Sequence, residues 1–166
     1  MNEPIWLSVA RAFAGLEEVP GPRSNPVILQ MAEDLGIRSI YTNDDTAWCA
    51  VFASRIAKAC QLPLPGTGYA LLRAKSFETW CRPQSLPTLG AWMVFKRDGG
   101  YHVGWYLGER ADAYRVWGGN QNNTVTAIWK RKTELTACRW PDGHPLPLTG
   151  AIWLKDDGAP LSSNEA

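Results

Sequence analysis

A thiol is a useful nucleophile when a nearby base takes its proton and a third polar group holds that base in one orientation. The chain carries four cysteines, Cys49, Cys60, Cys81 and Cys138, and two histidines, His102 and His144. Cys49 has the most suggestive setting. The stretch Asn43-Asp44-Asp45-Thr46-Ala47-Trp48-Cys49 turns from a polar loop into an apolar run, and neither glycine nor proline interrupts residues 47–60. A helix is predicted there, with Thr46 or Asp45 capping its free backbone N–H groups. Cys49 then lies in the first turn, where the positive end of the helix dipole favours the thiolate and lowers the thiol pKa. Its own backbone N–H is the natural donor to an oxyanion.

Of the two imidazoles, His144 sits in Asp142-Gly143-His144-Pro145, a turn-like setting that suits a solvated side chain. His102 begins a β-prone run just after Asp98-Gly99-Gly100, so a sheet can position it. If residues 102–120 form a hairpin centred between Arg110 and Ala111, His102 faces Gly119, and Asn120 is the adjacent orienting group. A slip of one or two residues hands that role to Gln121. Asp44, Asp45, Trp48 and Trp117 flank these positions and are candidates, with Gln121, for lining a substrate groove. For the two tryptophans, core packing is an equal alternative.

The elements that must hold these groups can be read from periodicity. Apolar residues at helical spacing predict an amphipathic helix over residues 4–17. A second helix is predicted from Ser24 or Asn25, as cap, to Gly36. The third, bearing Cys49, is apolar on nearly every side and should be the buried one. A short helix is predicted over residues 69–80. Beyond Pro87, β-prone runs at residues 91–95, 103–107, 114–117, 125–129 and 135–140 alternate with turn-like segments. Helices followed by an antiparallel meander predict an α+β fold, with the cysteine helix buried against five or six strands. One domain, residues 1–155, and a loose tail, residues 156–166, are expected.

Composition narrows the function classes. The chain has 166 residues with 17 basic and 16 acidic side chains, so no strong field draws nucleic acid or an anionic membrane. No run reaches the roughly 18 apolar residues of a membrane span, and the first 20 residues lack a secretory pattern, so synthesis in the cytoplasm is expected. The cysteines form no CxxC pair and the histidines lie far apart, so neither a metal nor another cofactor is expected. Cys60, Cys81 and Cys138 read as small buried hydrophobes, and most of the nine tryptophans as core. Gly66-Thr67-Gly68 lacks the strand, third glycine and Gly-Lys-Ser/Thr of a phosphate loop.

A cysteine on a helix, followed by a histidine and a polar orienter on strands, resembles the layout of papain-like thiol hydrolases. Trp48-Cys49-Ala50, Gly100-Tyr101-His102-Val103-Gly104 and Gly118-Gly119-Asn120-Gln121-Asn122 resemble the motif blocks of the NlpC-like and CHAP-like cysteine peptidoglycan hydrolases. The likeness is to the small branch of phage lysins and bacterial cell-wall hydrolases. It extends to Glu18-Val19-Pro20-Gly21, Asn25-Pro26, Gly66-Thr67-Gly68 and Arg139-Trp140-Pro141, covering residues 5–141. The resemblance implies Cys49 as nucleophile, His102 as general base and Asn120 as the third member, a position that varies within the family. It implies a monomeric amidase or endopeptidase acting on the peptide part of the wall, as a lysin or as a delivered toxin with an inhibitory immunity protein. The alternatives are a catalytically silent wall-binding module and a thiol acyltransferase.

Overall fold

Three helices lead the chain in the computed structural model, which describes residues 3–147 and 150–162: α1 (Ile5–Arg11), α2 (Pro26–Asp34) and α3 (Cys49–Ala59). The first is shorter than its apolar period predicts. Gly15, at φ +80°, turns the chain so that its N–H donates to the carbonyl of Val125 at 3.0 Å, and Val125 N–H donates back to Leu16 at 2.8 Å. Pairing with a distant strand thus ends the helix six residues early. The second helix follows expectation. Asn25 Oδ1 accepts from Val27 N–H at 2.9 Å, Pro26 occupies the first helical position, and Gly36 follows the end at φ +70°.

The cysteine helix starts two residues later than predicted, and its capping is different. Trp48 is the N-cap and supplies no side-chain bond. Asn43 Oδ1 instead binds the N–H of Thr46 at 3.2 Å and its hydroxyl at 3.3 Å, which spends the local capping chemistry on the preceding turn. Cys49 is consequently the first helical residue. The predicted helix over residues 69–80 resolves into two 3-10 helices, Gly68–Leu72 and Ala74–Thr79, broken at Arg73, whose backbone is extended.

The remainder is a six-stranded antiparallel sheet made of β1 (Arg82–Pro83), β2 (Trp92–Arg97), β3 (Gly100–Glu109), β4 (Ala113–Gln121), β5 (Thr124–Arg131) and β6 (Leu135–Trp140), in the order β1-β6-β2-β3-β4-β5. The helices pack on it to give the α+β architecture, with α3 against β3 and β4. Aromatic rings fasten that contact. Phe52 of α3 meets Trp105 of β3 and Phe13 edge-on, each at 5.7 Å, and Trp105 meets Trp92 at 5.0 Å. Seven of the nine tryptophans are buried; Trp117 is half-buried and Trp153 exposed. Each fully buried large apolar side chain contributes roughly 1.5–3 kcal/mol, so this aromatic row is the main anchor of α3.

Past the last strand the chain returns to the sheet. Glu109 N–H donates to Ile152 at 2.7 Å, Leu154 N–H to Glu109 at 2.8 Å, and Ser162 N–H to Trp129 at 2.9 Å. The indole of Trp129 donates to Asp157 at 2.8 Å. Residues 156–162, read from the sequence as part of a loose tail, therefore lie along β5; residues 163–166 are outside the described range.

Candidate active site

Cys49 is buried, 5% exposed, at the N-terminus of α3, where backbone N–H groups lack intrahelical partners. It lines a cleft of about 310 Å³ together with Ala47 and with Gly100 and Tyr101, the two residues that precede His102 on β3. The thiol-bearing helix end and the imidazole-bearing strand thus meet at one depression. All four cysteines are thiols rather than disulfides.

His102 is fully buried. Its Nε2 lies 2.8 Å from Gln121 Oε1. The direction of that bond follows from the other end of the amide: Gln121 Nε2 donates to the carbonyls of Val116, at 3.1 Å, and Thr126, at 2.5 Å. With both amide protons committed to carbonyls, Oε1 is an acceptor, so His102 Nε2 is the protonated nitrogen. Nδ1 then carries the lone pair of the neutral ring, and it is the atom able to receive a thiol proton.

Gln121, not Asn120, therefore holds the imidazole, and the reason lies in two strand irregularities. The hairpin register is one residue off the symmetric expectation: Trp105 pairs with Trp117, and a shift between Tyr106 and Gly108 inserts an extra residue in β3. Between Gly118 and Gln121 the β4–β5 ladder shifts again, so Gly119 and Asn120 together face Val125. Asn120 takes a left-handed backbone, φ +56°, and its buried Oδ1 has no hydrogen-bond partner. This is a bulge, and it re-aims the next side chain, Gln121, toward His102. The neighbouring glycines supply room. A Cβ at Gly118 would sit 2.8 Å from Gln121 Oε1, and one at Gly119 would sit 2.9 Å from three Phe52 atoms.

The expected groove residues part ways. Trp48 is fully buried, with its indole N–H donating to Glu18 Oε2 at 3.1 Å, so it packs beneath the site and offers no stacking face. Asp44 is buried as well: Oδ2 accepts from Val19 N–H at 2.9 Å and Asn25 N–H at 2.7 Å, tying three segments together. Asp45 is exposed on the same loop. Trp117 is half-buried under the Arg11 guanidinium, 5.5 Å from its ring centre, and does not line the Cys49 cleft.

Three groups given no role from the sequence complete the surroundings. Tyr41 is buried and donates to Thr46 O at 3.0 Å; burial, then Asp44, Glu18 and the Cys49 sulfur, push its phenol pKa up, so it remains a neutral prop for the loop before α3. Glu18 is held above the ordinary carboxylate range chiefly by burial, against the opposing pull of the Trp48 N–H, with Asp44 and Asp45 adding to the rise. Tyr101 lies at the cleft wall beside His102. Among the described residues, no group of three or more His, Cys, Asp or Glu side chains could hold a metal ion. No protein-family model matches the chain, and comparison with curated proteins and with solved structures finds no match.

Proposed function

We propose that this chain is a cysteine amidase or endopeptidase acting on the peptide part of peptidoglycan. The observation that carries the reading is the His102–Gln121 pair: a buried imidazole fixed in one tautomer by an amide whose own protons are locked onto two carbonyls. It stands beside a cleft that reaches a thiol at a helix N-terminus. The motif blocks around Cys49, His102 and Gln121 supply the link to the cell wall by resemblance. Cys49 is the nucleophile, His102 the base and Gln121 its positioning residue; Asn120 shapes the bulge.

In the reaction, Nδ1 of His102 takes the Cys49 proton and the thiolate adds to the amide carbonyl. Backbone N–H groups at the start of α3 bind the oxyanion. The tetrahedral species collapses, the C–N bond breaks, and imidazolium returns its proton to the departing amine. Water, deprotonated by the neutral ring, hydrolyses the thioester and regenerates the thiol.

The test uses purified peptidoglycan incubated with the wild type and with Cys49→Ala, with soluble products identified by mass spectrometry. Peptide fragments are expected from the wild type alone, and their termini name the bond cut. Equal release by both proteins removes the thiol mechanism. Release by neither removes the hydrolase reading and turns attention to acyl transfer, in which an amine or hydroxyl replaces water, or to wall binding.

A further inference from the structure

The cleft beside Cys49 carries a charge that the chemistry above does not use. Of the side chains lining it, Arg73, Lys75 and Arg97 are cationic and none is acidic. Arg73 and Lys75 come from the junction of the two 3-10 helices, and Arg97 from the end of β2. Arg73 and Lys75 are exposed and make no salt bridge among the described residues. Each instead lies over an aromatic face, Arg73 at 5.9 Å from the Tyr69 ring centre and Lys75 at 5.2 Å from that of Tyr101. Arg97 also spans the β2–β3 turn, donating to Tyr101 O at 3.4 Å. The carboxylates of the segments that precede α3, on Glu18, Asp44 and Asp45, do not line this cleft, and neither does Asp98, which lies between Arg97 and Gly99 on the β2–β3 turn.

A chain that is nearly neutral overall thus presents an all-cationic recess at its candidate nucleophile. A cleft lined by one sign of charge concentrates the field inside it and raises the local concentration of the opposite charge. The N-terminus of α3, which the cleft reaches at Cys49, adds to the same sign. We propose that this cleft is an anion subsite, occupied by a substrate carboxylate next to the scissile amide. The substrate assignment rests on the hydrolase reading, whereas the charge preference at Cys49 does not. The favoured substrate is accordingly a peptide bearing a free carboxylate beside the bond cut, and amidation of that carboxylate weakens it.

Two measurements separate the parts. In the first, Cys49 is alkylated with iodoacetate and with iodoacetamide, reagents that transfer similar groups by displacing iodide but differ in charge. The ratio of the two rates cancels any change in thiolate fraction. It is expected to fall roughly fivefold in Arg73→Gln/Lys75→Gln at low ionic strength, and the wild type and the variant are expected to converge in high salt. Peptide mapping assigns the label. Cys138, whose thiol is pushed up to about 12 by burial, and Cys60 and Cys81, also raised by burial, react slowly near neutral pH. An unchanged ratio overturns the subsite.

In the second, wall-derived peptides are compared as free acids, as side-chain carboxamides and as C-terminal carboxamides. The free acid is expected to exceed one of the amidated forms by about tenfold in kcat/KM, and that form identifies which carboxylate occupies the cleft. The advantage should vanish in the double variant. Equal rates for all three overturn the substrate assignment. A wild type that cleaves none of them while keeping its alkylation ratio removes the hydrolase reading and leaves the anion subsite standing.

Discussion

The two halves of the candidate site are built by different physics. The cysteine half is a helix end held by bulk: Phe52, Trp48 and Trp105 are all fully buried, and α3 carries no side-chain cap at all. The histidine half is held by register and exceptions to regularity. A ladder shift, a left-handed asparagine, two glycines and an amide with both protons committed bring one oxygen to one nitrogen. The first half tolerates small errors because many contacts share the load. The second has no such redundancy, and a displacement of about 1 Å at a catalytic contact is enough to cost rate heavily.

The largest separation between the halves is expected at Gln121. Gln121→Ala leaves His102 without its acceptor and the carbonyls of Val116 and Thr126 without their donor. Activity should fall on the order of 10²- to 10³-fold, with about 1–3 kcal/mol lost from stability. Gln121→Glu is expected to do no better despite its equal size, since a carboxylate would turn an oxygen toward those two carbonyls. A Glu variant near wild-type activity would show that an acceptor oxygen facing Nε2 is enough to hold His102 and that the two amide N–H bonds are dispensable. Gly118→Ala weights the catalytic part: its new Cβ would lie 2.8 Å from Gln121 Oε1 and press it away from His102, so the hydrolysis rate should drop while the melting temperature falls less than in Gln121→Ala, which loses all three of the amide's hydrogen bonds.

Gly119→Ala, one residue on, should fail in the opposite manner. Its Cβ would lie 2.9 Å from Cβ, Cγ and Cδ1 of Phe52, atoms rooted in α3 rather than a mobile tip. Overpacking of this kind costs about 1–3 kcal/mol, and it should appear in chemical denaturation as a lower midpoint. Activity of the folded fraction should change less than in Gly118→Ala. If the two neighbouring variants behaved alike, the division between a packed half and a register-held half would be wrong.

The same division explains which features could be read before any coordinates. A fourteen-residue run without glycine or proline is enough to place a buried helix, and α3 is where the run predicts it, late by two residues because Asn43 caps the preceding turn. Strand runs beyond Pro87 were equally plain, since β-branched and aromatic residues cluster between turn formers. The strand setting of His102 could be read from its run alone, and the residue lies on β3 as that run predicts. The choice between Asn120 and Gln121 could not be made, because side-chain facing reverses with each residue and two bulges lie between the hairpin turn and the site. Nor could Arg73 and Lys75 be assigned to the cleft, as a break between two 3-10 helices leaves no periodic signature.

Asn120 gives the finest test of the comparison. If its amide took part in chemistry, any substitution would cost rate; if its backbone conformation is what matters, glycine should replace it. Asn120→Gly keeps the left-handed geometry at φ +56° and removes an oxygen that is buried without a partner, so the relief of that unmet acceptor offsets the entropy glycine loses on folding. Its kcat is expected within about threefold of wild type, equivalent to under roughly 1 kcal/mol at the transition state. Asn120→Ala should instead cost about 1–2 kcal/mol for holding a Cβ in that conformation, and some of this strain should surface as partial release of the His102–Gln121 bond. A glycine variant as inactive as Gln121→Ala would make Asn120 a participant in the reaction, and the histidine half would then depend on two amides rather than one.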